Sequence, residues 1–179
     1  MKNDKAPSLV EEGAQPQVNP FEGFEKVYTD INSLGSIWAH KLCKTTVEDY
    51  PAVYDVAVDF AKRACTVKIL PVLTDPKDPL RQTLFAGAKG NTCPDLNVDG
   101  EFVDVKNPIG VSKNAINNNV KKAYRQSNYV VIRISGEVNE WLLRLIARER
   151  FKKHSDLQTI SYKISGVGYK VYKRAETLK

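Results

Sequence analysis

Asp99-Gly100 constrains this chain more than any other pair of its residues. An Asp-Gly dipeptide between alternating runs is a strong short-range signal for a two-residue β-hairpin turn. Here it lies inside Pro94-Asp95-Leu96-Asn97-Val98-Asp99-Gly100-Glu101-Phe102-Val103-Asp104-Val105-Lys106-Asn107-Pro108. Counting outward from the turn, Val98 faces Glu101, Asn97 faces Phe102, Leu96 faces Val103, and Asp95 lies opposite Asp104. Both carboxylates then occupy one face of the sheet, and Lys106 shares it. Two like charges as direct cross-strand neighbours destabilise a hairpin unless a divalent cation accepts their oxygens.

The flanking segments predict an α/β fold with a mixed sheet, helices on its faces and a terminal β-hairpin. Pro51 opens a helical period carried by Val53, Val56, Ala57, Phe60, Ala61 and Ala64. Val67 to Leu73 reads as a short strand that Pro71 ends early or holds near an edge. Thr74 to Pro94 is loop-like, with a short helix around Leu80 to Ala86 and with Lys77 and Lys89 as candidate substrate contacts. Ser112 is the expected N-cap of a helix reaching Gln126, with Ile116, Val120 and Ala123 as its inward stripe. Tyr129 to Ile134 is a strand, and Glu140 to Lys153 a basic helix whose apolar residues include Trp141, Leu142, Leu145 and Ile146. Thr159 to Ile164 and Tyr169 to Tyr172, around Gly166 and Gly168, form the terminal hairpin, with its lysines facing water. Residues 1–20 read as a polar, disordered leader before one domain over 21–179. Between Phe21 and Thr46, Ile37, Trp38 and Leu42 suggest a helix capped near Ser36, with His40 structural.

Composition narrows the partners. The net charge of +6 is unevenly spread: residues 105–179 hold sixteen Lys/Arg against five Asp/Glu, and no acid falls between Val105 and Gly136. Lys113, Lys121, Lys122 and Arg125 are therefore assigned to phosphate attraction, and Lys122 with Gln126, one turn apart, could also address the reacting groups. No apolar run is long enough to span a membrane and no secretory signal opens the chain, so the expected site of action is the cytoplasm. Cys43, Cys65 and Cys93 are too irregularly spaced for a disulfide framework or a zinc site.

Pro94-Asp95, eight intervening residues, then Asp104-Val105-Lys106 resembles the motif that names the PD-(D/E)XK nuclease superfamily. The order helix, strand, hairpin, helix, strand is similar to that superfamily's αβββαβ core. The resemblance implies that Asp95 and Asp104 hold Mg²⁺ or Mn²⁺ while Lys106 orients or activates the attacking water. It also implies a further acid from the first core helix, for which Asp55 is preferred over Asp59. From Pro94 through Tyr129-Val130-Val131-Ile132 the chain looks like the C-terminal tRNA-nuclease domains of contact-dependent growth-inhibition (CdiA) toxins. That likeness implies an RNA substrate, tRNA first, with DNA as the other nucleic acid to test, and brings in a cognate inhibitor protein. Those relatives are tails of large secreted proteins, whereas this chain opens with Met1, so roles in a mobile element or in RNA processing stay open.

Three function classes follow: a metal-dependent nuclease, a metal-independent ribonuclease, and a binding module derived from a nuclease. The second requires side chains for proton transfer, for which only His40 and His154 are histidines. The third would bind nucleic acid with a steep salt dependence and never cut it.

Overall fold

The computed structural model describes residues 19–46 and 49–179. Its centre is a mixed sheet of eight strands in sequence order: β1 (Phe24–Thr29), β2 (Ser36–His40), β3 (Thr66–Ile69), β4 (Leu96–Val98), β5 (Glu101–Lys106), β6 (Tyr129–Ile134), β7 (Thr159–Ile164) and β8 (Gly168–Lys173). Five helices connect or end these strands: α1 (Tyr50–Ala61), α2 (Leu80–Leu84), α3 (Lys113–Tyr124), α4 (Glu140–Lys153) and α5 (Arg174–Thr177). The pairs β2/β3, β5/β6 and β6/β7 are parallel and are joined through α1, α3 and α4; the other neighbours are antiparallel. No helix of the described residues is long and apolar enough to cross a membrane.

Alternation along the strands makes two cores. Ile37, Val67, Leu96, Val103, Val105 and Val131 pack under α1 through Val56, Ala57 and Ala61. On the other face, Val130, Ile132, Ile134, Ile160 and Tyr162 pack under α3 and α4 through Ile116, Val120, Leu143, Ile146 and Phe151. Neighbouring residues of β6 thus serve opposite layers. A smaller cluster of Leu70, Leu73 and Phe85, with Phe24 and Phe102 against it, uses the segment around α2 as cover.

The helix expected near Ser36 is instead the hairpin β1/β2 at the sheet edge. Asp30 Oδ2 accepts the amides of Asn32 (3.2 Å) and Ser33 (2.8 Å), and Leu34 takes φ 64°, which reverses the chain. The Ser36 amide then donates to the Cys65 carbonyl at 3.1 Å, as a strand pairing and not as a helix cap. Gly35 is packed so tightly on the end of α1 that a Cβ there would sit 2.0 Å from the Ala61 carbonyl oxygen. His40 is buried, accepts the Leu42 amide on Nδ1 at 3.2 Å and meets the Phe24 ring edge-on, which is a structural role.

The segments around Pro51, Val67, Leu80, Ser112 and Tyr129 form the elements expected of them, and Glu140–Lys153 is helical throughout. Its buried face differs from expectation, running Leu143, Ile146, Ala147, Arg150 and Phe151, while Trp141 is exposed. Arg150 is tolerated there because its Nε donates to Asn117 Oδ1 at 2.6 Å. The expected leader lies outside the described residues except for Asn19 and Pro20; the Pro20 carbonyl accepts Lys68 Nζ at 2.7 Å.

Candidate active site

The turn that organises the site has φ 49° at Asp99 and φ 98° at Gly100, the two positive values a type I′ hairpin requires. Its tip is fixed to β3: the Thr66 amide donates to Asp99 Oδ1 at 2.8 Å and the Asp99 amide to the Thr66 carbonyl at 3.0 Å. The register is the one counted from the sequence, with Leu96 opposite Val103, Asn97 opposite Phe102 and Val98 opposite Glu101.

One residue beyond β4, Asp95 is held by its own backbone, whose carbonyl accepts the Leu70 amide at 3.0 Å. Its Oδ2 accepts the Val105 amide at 2.7 Å, which draws the carboxylate across to β5. Asp104, paired with Val130, has no exposed side-chain surface, and neither of its oxygens accepts an aligned hydrogen bond. Lys106 Nζ lies 2.6 Å from Asp104 Oδ2 and 3.6 Å from Asp95 Oδ2, and donates to the Val105 carbonyl at 3.2 Å. The facing carboxylates are therefore bridged by a cation that the chain itself supplies.

Their electrostatics follow from this placement. Burial, followed by the neighbouring Asp95 charge, raises the Asp104 pKa well above the usual carboxylate range, despite Lys106. Burial also raises Asp95, but Lys106 and the Val105 amide oppose it. Burial alone would lower Lys106; the two acids reverse that and hold it above its usual value. Of the two acids, Asp104 is the one whose charged form burial and its neighbour disfavour more strongly.

The other residues singled out from the sequence separate. Asp55 does not converge with the pair, because its Oδ2 lies 2.7 Å from Lys163 Nζ and 3.0 Å from Arg133 Nη2. Those cations alternate with Ile132 and Tyr162 of the opposite core, so they lie on the α1 face, whereas Asp104 shares the face of Val130. Asp59 joins the same network through Lys163 and the Tyr169 hydroxyl. Burial would raise Asp55, but Lys163 and Arg133 outweigh it and hold it below the usual range.

On α3, Lys113 pairs with Glu149 at 3.0 Å. Tyr124 donates to Asp156, and Asn117 meets Arg150, which turns that flank of the helix toward α4. By helical spacing Asn119 and Lys122 lie on the flank away from those contacts, and Gln126 follows the end of α3, its backbone amide donating to the Ala123 carbonyl at 2.8 Å. Lys121, Lys122 and Arg125 are exposed and have no ion-pair partner among the described residues. Lys89 is engaged structurally, 2.7 Å from Asp156 and 3.1 Å from the centre of the Tyr124 ring.

Among the described residues, no three His, Cys, Asp or Glu side chains converge as a ready metal cage. A third acid nevertheless stands near: Asp49, at the start of α1, lines the same cavity as Asp95, and its charge bears on both Asp95 and Lys106. Sequence reasoning missed it, although an acid in the N-cap position just before Tyr50-Pro51 was a visible signal.

The sequence model of the contact-dependent growth inhibition CdiA C-terminal domain matches residues 92–165, from just before Asp95 through β7, which is under half of the chain. No curated protein matches. Among solved structures, a chain from a CdiA-CT/CdiI toxin and immunity complex of Burkholderia pseudomallei is similar over 73% of this chain and 88% of its own, at 14% identity and a TM-score of 0.44.

Proposed function

We propose that the protein is a metal-dependent endonuclease of PD-(D/E)XK type that hydrolyses RNA, tRNA first, as a toxin domain of the contact-dependent growth-inhibition kind. The observation that carries this reading is the Asp95–Asp104–Lys106 constellation, within the stretch matched by the CdiA C-terminal family. The run α1, β3, β4, β5, α3, β6 also has the αβββαβ order.

The donor set fits a hard divalent cation. Asp104 places two buried oxygens without aligned partners beside Asp95, and Mg²⁺ sites commonly use one or two carboxylates with water and substrate phosphate completing the shell. Bound there, Mg²⁺ or Mn²⁺ would supply charge neutralisation at the scissile phosphate and a more acidic water. Asp95 and Asp104 would hold the cation, and Lys106, whose ammonium lies 2.6 Å from Asp104 and 3.6 Å from Asp95, would orient the attacking water. Lys121, Lys122 and Arg125 draw the substrate strand, with Gln126 just past the end of α3 and Lys113 at its start. Asp55 stays in its ion pairs and takes no part. On the same family match, a cognate inhibitor protein belongs to the proposal, and the cytoplasm is the proposed site of action.

The test is incubation of the purified protein with a tRNA pool and with plasmid DNA, each in Mg²⁺, Mn²⁺ or EDTA. Cleavage of RNA only with metal is expected. Cleavage in EDTA would transfer the chemistry to a metal-independent site, and intact substrates throughout would leave a binding module.

A further inference from the structure

A cavity of about 290 Å³ opens beside Asp95, between the start of α1 and the chain that follows β3. Its apolar lining includes Tyr50, Val53, Ile69 and Leu70, and its polar lining Asp49, Asp95, Lys44 and Thr74. The Tyr50 ring is held parallel to Tyr54 with centres 6.1 Å apart. Leu42 and Val72, both of which line the cavity, are 52% and 74% exposed, so two aliphatic side chains border it in water.

We propose that this cavity receives one unstacked nucleobase of the strand engaged at the acid pair, and that Asp49 reads the base's hydrogen-bonding edge. The inference rests on the nuclease reading and adds the base specificity of that site. Three observations favour a base as the occupant. The volume lies near the lower end of small-molecule pockets and accommodates one ring system. The lining is mainly apolar, with one aromatic ring and a few polar groups, as in pockets that take flipped or splayed bases against apolar faces and read their edges. Asp95 belongs both to the cavity and to the acid pair, so a ring seated there places its backbone next to the residues that act on phosphate.

Asp49 supplies the selectivity. It occupies the N-cap position of α1 but makes no side-chain capping hydrogen bond, and its carboxylate has no ion-pair partner among the described residues. An ionised carboxylate only accepts hydrogen bonds. Guanine presents two adjacent donors, N1–H and N2–H₂, and can satisfy both carboxylate oxygens; uracil offers one donor between two carbonyls. Guanine is therefore expected to rank first and uracil last.

The test uses the full chain in EDTA and 5′-labelled RNA pentamers UUXUU, with X as G, A, C or U, read by fluorescence anisotropy. The G pentamer is expected to bind about tenfold more tightly than the U pentamer, the scale of one bidentate base contact. Asp49→Asn should abolish the ranking, while Leu42→Ser and Val72→Ser, at exposed positions, should weaken all four pentamers and melt like the wild type. A parallel arm measures cleavage and Mn²⁺-induced stabilisation. Equal affinity for all pentamers, or no binding, overturns the pocket even if metal-dependent cleavage is intact. Base-ranked binding without cleavage upholds the pocket and sinks the nuclease reading. If Asp49→Asn instead abolishes Mn²⁺ stabilisation and leaves the ranking unchanged, the acid belongs to the cation and its reading role is overturned.

Discussion

Replacing Asp104 by Asn separates a metal-binding role from a structural one, because the two give opposite signs. In the metal-free protein the carboxyl is fully buried beside Asp95, and its oxygens accept no aligned hydrogen bond. Relief of a like-charge cross-strand pair contributes about 0.2–1 kcal/mol. Against it stands the lost 2.6 Å contact with Lys106, which keeps Asp95 at 3.6 Å and the Val105 carbonyl. The expected result in EDTA is a stability equal to wild type or higher, by at most about 1 kcal/mol, seen as an equal or raised melting point. The pH dependence carries the same logic. Asp104 has its pKa raised on folding, so the folded state binds more protons than the unfolded one, and stability falls as pH climbs from the ordinary value of 3.8 through the raised one. Asp104→Asn should flatten that fall, and its advantage over wild type should grow with pH across this window. With Mn²⁺ at a hundred times its dissociation constant, wild type should gain about 2.7 kcal/mol. For a domain of this size that is roughly 5–11 °C in melting point. The variant should gain almost none of it and should not cut. Thermal melts at several pH values, with EDTA and with Mn²⁺, paired with tRNA cleavage, read every term. A variant that melts well below wild type in EDTA, or cuts normally, would refute the assignment of this hairpin.

Lys106→Ala should lose cleavage but keep Mn²⁺ stabilisation; without metal it should lose about 2 kcal/mol in a urea titration, less than a fully buried broken pair because Asp104 can hold a proton. Neutralising Lys121, Lys122 and Arg125 together should reduce the slope of log affinity against log salt by about 2 on single-stranded RNA, at about 0.7 for each phosphate contact; an unchanged slope removes this part of α3 from the interface. Gly35→Ala should destabilise by about 3 kcal/mol, since the methyl would meet a backbone carbonyl that cannot yield without shifting α1; a denaturation midpoint close to wild type would contradict the packing of β1/β2 on that helix.

What the sequence revealed depended on how local the cause was. The Asp99-Gly100 turn dictates its own dihedrals, so the register placing Asp95 beside Asp104 could be counted without any distant residue. The α3 stripe was equally legible, because Ile116, Val120 and Ala123 repeat within one helix. The β1/β2 hairpin was misread because adjacent apolar residues in Ser36–His40 show no clean alternation, and β2 is held by β3, some thirty residues on. Its turn was nevertheless written in Asp30 and Gly35. Asp55 is suggested by the resemblance, which implies an acid on the first core helix, and nothing near it in sequence announces Lys163, whose ammonium holds it. Asp49 reaches Asp95 only when α1 closes over the end of β3, a tertiary event with no local period.

The sheet order has a consequence for how the molecule can be put together. Among the described residues every strand lies beside its predecessor in the chain, from β1 to β8, and none is inserted between two others. Assembly can proceed by docking each new strand on an existing edge, with α1, α3 and α4 laid down between additions, and no step requires an earlier pairing to open. A chain with this arrangement can be unthreaded from either terminus one strand at a time and rebuilt in the reverse order, because removing an edge strand leaves all remaining neighbours paired.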